Sequence, residues 1–262
     1  MDTPILRPYL KSISDAIRTK LGTTEKIKAE DFAEKILSIP TGSGDNFMDI
    51  HQDYGNRTEY NGAFSGRGWT TELLKFKYNI VPTNAYHMFY YNKHVRDIAS
   101  LFYPTTSIIF DTSQCTNLDG FIQSADVVTH LPEISTISCK AINQFIHWNT
   151  LLKKVEKLIL KSDGSQTFSN SFEGLMALED ILIEGKIGAN INLSSSKKLK
   201  TASVVSIVEA LYEGSSGKTL TLSKELVETK LEFPHTSAQS GITYNSWAEL
   251  EGTKNNWNIS LV

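Results

Sequence analysis

The stretch Glu213–Leu220, EGSSGKTL, is the nearest this sequence comes to a phosphate-binding loop. Such a loop places four residues between its first glycine and Gly-Lys-Thr, so that backbone N–H groups cradle a phosphate ahead of a helix. Here two residues separate Gly214 from Gly217, and Tyr212 stands where the first glycine belongs. The flanks are also reversed, with helical pattern before and strand pattern after. A tight turn is expected, not a nucleotide site.

Other chemistries find no better footing. His51, His87, His94, His130, His147 and His235 show neither H-x3-H nor HExxH spacing. His87 and His94 would share one face of a helix, but no cysteine or carboxylate completes a zinc site. Histidines on the surface or on a repeat ridge are the better reading. No G-x-S-x-G elbow occurs, and Cys115 and Cys139 stand in polar turns without an obvious base. Glu179–Asp180, or Glu25 with Glu30, could be offered as a glycosidase pair. A chain with 29 acidic residues offers many such pairs, and the separation that matters is set in space. No catalytic residue, cofactor or metal ligand is assigned, and a non-enzymatic protein is expected.

Aromatic side chains are the remaining candidates for function. Residues 47–103 hold 13 of the 26. Flat, rigid rings suit sugar and protein recognition alike. Tyr54, Tyr60, Trp69, Tyr86, Tyr90 and Tyr91 are the candidate ligand-binding residues. The competing reading buries many rings, Trp69 and Phe89 especially, as a cap on an exposed core.

Elements must position these groups. Leu10, Ile13, Ile17 and Leu21 recur three and four residues apart, the apolar stripe of an amphipathic helix that Gly22 can end. Phe32, Ile36 and Ile39 repeat the pattern before Pro40, and TGSGDN (41–46) reads as a flexible linker. Two short helices bury too little surface alone. The hairpin therefore docks on the rest of the chain, on a sister copy or on a larger assembly. Leu10, Ile13, Ile17, Leu21, Phe32 and Ile36 are its candidate attachment or oligomerisation residues.

Beyond the linker a phenylalanine recurs ahead of two aliphatics: Phe89 with Val95 and Ile98, Phe121 with Val127 and Leu131, Phe145 with Leu151 and Val155, Phe172 with Leu178 and Ile181. The first aliphatic lies six residues on, the second nine or ten. Strand candidates SIIFDTS, KLILKSD, DILIEGK, NINLSSS and KTLTLSK accompany them. A period of about 20–29 residues with one strand per unit is that of leucine-rich repeats, whose units share one core by stacking. An irregular α+β domain is the alternative. Helical pattern returns at 201–212, with Ala202, Val205, Val208 (or Ile207) and Leu211 on one side. A strand at 219–222, a charged helix near 223–231 and a closing helix and strand follow, as a cap.

The expected fold class is therefore α+β: a short N-terminal helical hairpin, then an irregular leucine-rich-repeat-like solenoid with a C-terminal cap. Its expected divisions are a helical segment (1–40), the linker (41–46), an aromatic-rich N-terminal cap (47–88), the repeat region (89–200) and a C-terminal repeat and cap (201–262).

Composition narrows the function class. Hydrophobic content of 40% and charged content of 21% are those of an ordinary globular chain. A net charge of −3 with scattered basic residues gives no one-sided basic field for nucleic acid. No apolar run approaches the roughly 18 residues of a membrane span. The N-terminus lacks a basic region ahead of an apolar core, so synthesis in the cytoplasm without secretion is expected. Two cysteines in a chain of this length read as buried thiols rather than a disulfide framework.

Several segments resemble known proteins. SISDAIRTKLGTTEKIKAEDFAEKI resembles the N-terminal helical segment of tail and fibre-associated proteins of phages that infect Gram-positive bacteria. QDYGNRTEYNGAFSGRGWTTE, followed by KYNIVPTNAYHMF, is similar to a block preceding repeats in such proteins. ALEDILIEGKIGANINLSSSKKLKTASVVSIVEAL, then GKTLTLSK, resembles their repeat-terminating region, and the repeats resemble BspA-type leucine-rich repeats. The resemblance implies a virion component at the tail tip or tail fibre that recognises the host surface. The hairpin would attach it to other tail proteins, and the repeats would face a host glycan or protein. It implies synthesis in the bacterial cytoplasm and then a place in the virion, which lysis releases, with a homotrimer as one possible assembly and neither nucleic-acid binding nor membrane insertion. A bacterial adhesin-like repeat protein and a tail-associated glycan hydrolase are the rival classes.

Overall fold

The structure is a computed structural model that describes residues 6–21, 26–32, 58–66, 79–93, 95–96, 98, 110–125 and 127–262. It divides into two units, Met1–Asp53 and Tyr54–Val262, each described by itself. In the first unit the three–four spacing forms helix α1 (Leu6–Leu21). Pro8 falls in its first turn, where a missing N–H breaks no helical bond. Lys11 and Arg18 flank Asp15 on one side, with Lys11 Nζ at 3.0 Å. Ile17 is buried, while Leu10 and Ile13 are exposed. Of the expected second helix the described residues show a 3-10 turn, Ala29–Asp31, followed by half-buried Phe32. Ser14 Oγ donates to the Ile27 carbonyl at 3.3 Å.

In the second unit, strands β1 (His130–Ser135), β2 (Lys154–Ile159) and β3 (Asp180–Glu184) form one parallel sheet in that order. A second parallel sheet orders β4 (Ile191–Leu193), β5 (Lys218–Leu222) and β8 (Trp257–Leu261). Strands β6 (His235–Thr236) and β7 (Thr243–Tyr244) make a small antiparallel pair. Helices α2 (Thr201–Ala210), α3 (Lys224–Thr229) and α4 (Trp247–Gly252) lie between strands in sequence. These small, mainly parallel sheets with few helices make the described fold mixed α/β. They correct the expected α+β class with its helical hairpin, leucine-rich-repeat-like solenoid and cap: a leucine-rich-repeat solenoid is not shown.

Turns that precede and alternate with the strands of the first sheet pair with one another in parallel register. Segments 59–66, 84–91, 117–124, 141–148 and 167–174 are joined by successive backbone bonds, among them Phe64 N to Met88 O, Phe89 N to Phe121 O, Ile122 N to Phe145 O and Ile146 N to Ser171 O. The register puts Phe89, Ile122, Ile146 and Phe172 at equivalent positions. Phe121 and Phe145 sit one place earlier. Counted from the equivalent residues, Val95, Val128, Leu152 and Leu178 lie six places on and Ile98, Leu131, Val155 and Ile181 nine, and all eight are buried. Val127 and Leu151, the residues expected inside, are half-buried and exposed respectively.

Polar side chains close the turns from within. Thr136 Oγ1 donates to Ile159 O at 3.0 Å, and the Gln166 amide spans Thr136 O (2.6 Å) and Lys161 N (2.9 Å). Cys115 and Cys139 are free and buried, and Cys139 Sγ donates to Cys115 O at 3.0 Å.

Helix α2 is buried on nearly every side, with Ala202 its exposed residue rather than part of an inner stripe. Its serines bond the edge of β3: Ser203 Oγ accepts from Ile181 N at 2.9 Å and Ser206 Oγ from Ile183 N at 2.8 Å. A helix thus supplies two of the acceptors that a further strand would give. At the C-terminal end, Ser246 caps α4 by accepting from Glu249 N, and Glu249 reaches back to Asn245 N at 2.7 Å.

Candidate recognition face

Each paired turn carries two residues in the left-handed region, four apart: Gly62 and Gly66, His87 and Tyr91, Gly120 and Ser124, Gln144 and Trp148, Asn170 and Gly174. Left-handed backbone disfavours bulky residues. Yet the second turn places His87 and Tyr91 there, and the fourth places Trp148. Strain held at particular positions is a pointer to use.

In the second turn the rings form one row. Tyr86 stacks on His87 at 3.8 Å between centroids and 20°, and His87 stacks on Tyr90 at 4.5 Å and 18°. Tyr91 continues it at 6.0 Å, with the Lys93 ammonium 4.2 Å from its centroid. That ammonium also donates to Ser124 O at 3.3 Å, tying the row to the next turn. Tyr86 and Tyr90 are half-buried and Tyr91 is 44% exposed. The His87 imidazole lies over Gly120, where an added Cβ would fall 2.2 Å from Cδ2. Only a residue without a side chain leaves that space, so a glycine in the third turn seats the rings of the second. Burial pushes the His87 pKa below its usual 6.5, against the pull of Asp119.

In the fourth turn Trp148 is 56% exposed and meets His147 edge-on at 5.8 Å. His147 Nε2 is 3.9 Å from Glu173, and its buried Nδ1 has no hydrogen-bond partner among the described residues. Burial holds its pKa below the usual value, with Glu173 opposing. The row offers ring faces, a cation and imidazole edges, the groups that recognise sugars or protein side chains.

Of the ring candidates, the structure brings Tyr86, Tyr90 and Tyr91 together. Tyr60 is 1% exposed and packs in the core, because its place in the first turn is that of Ala85 and Leu118. Tyr54 and Trp69 lie outside the described residues. Among the attachment candidates, Leu10 and Ile13 are exposed, Ile17 is buried, Phe32 is half-buried, Leu21 ends α1 and Ile36 lies outside the described residues. His87 and Lys93 were missed as partners of the tyrosines, and Trp148 as an exposed ring two turns on. The turn register would have found Trp148, which occupies the place of Tyr91.

The loop after α2 resolves the phosphate-loop question. The carbonyls of Glu213 and Ser215 both accept from Asn256 Nδ2, each at 2.6 Å. A loop that turns carbonyls inward presents the wrong polarity to an anion. Among the described residues no cluster of histidine, cysteine, aspartate and glutamate could hold a metal, and no helix is long and apolar enough to cross a membrane. No protein family matches this chain, and neither a curated protein nor a solved structure matches it.

Proposed function

We propose that the protein is a non-enzymatic phage virion component, at the tail tip or tail fibre, that recognises the host cell surface. The row Tyr86–His87–Tyr90–Tyr91 carries the recognition half of the reading: seated rings need little ordering on binding, which favours affinity. Trp148 extends the face as an exposed anchor of the type that dominates recognition energetics. The virion half rests on the resemblance of residues 12–36, 52–89 and 177–224 to phage tail proteins.

Antibody labelling of purified particles by electron microscopy, with adsorption scored in the same preparation, tests both halves. Label at the tail with blocked adsorption supports the proposal. Label elsewhere on the particle removes the receptor role, and no label removes the virion. For the face itself, Trp148→Ala and Tyr91→Ala should each weaken binding to host cells about tenfold or more while changing stability by about 0.5 kcal/mol or less. Unchanged binding by both variants rules out this face.

A further inference from the structure

A cleft of about 480 Å³ opens beside the end of β3, within the size range of small-molecule sites. It is lined by different residues from the aromatic row. Lys254 lines it, with a side chain only 6% exposed. A buried ammonium is unfavourable unless an anion or acceptors compensate it. Its ion-pair partner among the described residues is Glu213, at 3.4 Å, whose own side chain is 79% exposed. That is a solvent-screened partner for a buried charge, and such pairs are weak.

Two other carboxylates line the cleft, Glu184 and Glu209, and both are already engaged, Glu184 by Lys157 at 3.4 Å. Glu209 accepts from Ser237 (2.7 Å), Ser240 (2.6 Å) and Tyr244 (2.9 Å), three hydroxyls that fill its carboxylate. A second ammonium, Lys186, lines the same space. Ile183 and Ile242 add apolar wall. The arrangement is a preformed cavity with one firmly buried cation and one loosely held carboxylate that a ligand's anion can replace.

We infer that this cleft binds a small molecule carrying an anionic oxygen group, a carboxylate or a phosphate ester, which displaces Glu213 from Lys254. The exposed carboxylate returns to water, and the buried ammonium gains a partner that is held in the cleft with it.

Calorimetric titration of the full chain with glucuronate, glycerol phosphate and glucose tests the assignment. Binding of glucuronate alone identifies the carboxylate, binding of glycerol phosphate alone identifies the phosphate, and binding of both identifies the anionic oxygens the two share. Glucose should not bind. Lys254→Met should lower the affinity by about tenfold or more, and Glu213→Gln should raise it about two- to fivefold by removing the competitor. Glu213 is exposed, so its variant carries the test should Lys254→Met fail to fold. Absence of binding by both anions overturns the inference, as does glucose binding equally well or Glu213→Gln leaving the affinity unchanged.

Discussion

At the scale of single residues, the aromatic row depends on what lies beneath it. Gly120 has φ of +61° and the His87 ring where its Cβ would be, whereas Gly66, at +81°, has open space around it. Gly120→Ala therefore combines backbone strain with a clash, and should cost about 2–4 kcal/mol. Gly66→Ala should cost about 1–2 kcal/mol, from the backbone alone. Denaturant unfolding of both variants checks the difference, and equal losses would show that His87 yields without cost. The imidazoles also set a pH dependence. His87 and His147 both have folded-state pKa values below the usual 6.5. The unfolded chain therefore takes up protons that the folded chain resists, so stability is full above about pH 6.5 and falls as the pH drops below it. Melting temperatures across pH 8 to 5 should show that decline, and a His87→Gln, His147→Gln double variant should flatten it. A wild-type profile that is already flat in this window would contradict the burial of both rings.

At the scale of elements, the edge of β3 shows how sequence and fold are coupled. Ser203 and Ser206 are three apart on α2 and meet two backbone N–H groups, of Ile181 and Ile183, that are two apart on the strand. Replacing either serine with alanine leaves a buried donor unpaired, at about 1–3 kcal/mol. Ala202→Ser, on the exposed side of the same helix, should change stability by about 0.5 kcal/mol or less. Chemical denaturation of the three variants separates the hydroxyls' role from simple helix propensity. The strands here were legible, since DILIEGK and KTLTLSK alternate as half-buried strands do. The turns were only partly so. Phe121 and Phe145 drew the count because they are the largest apolar residues nearby, while the residues equivalent to Phe89 and Phe172 are Ile122 and Ile146. Size marked the repeats, but register is fixed by backbone pairing, and a shift of one place turned Leu152 into the core and left Leu151 outside. Tyr60, a candidate ligand-binding ring, is buried because backbone pairing puts it at the place of Ala85 and Leu118. His87 went unrecognised as a partner of the tyrosines because the signal that seats it is a glycine 33 residues away in sequence.

At the scale of the whole molecule, the contiguous core is built from residues between Tyr60 and Trp257. The chain divides at Asp53 and Tyr54, and α1 with the 3-10 turn falls in the first unit. A protein of residues 54–262 should therefore melt cooperatively within about 2 °C of the full chain, since among the described residues that contiguous core begins at Tyr60. On the proposed function, the first unit is the attachment segment and the second presents the ring row. The shortened chain should then bind host cells with unchanged affinity yet fail to enter particles when it replaces the full chain during phage assembly. Each measurement answers a different question. Loss of cooperative melting would place the N-terminal residues in the stability of the second unit. Normal incorporation of a well-folded fragment would move attachment to residues 54–262, and the exposed Leu10 and Ile13 would need another role.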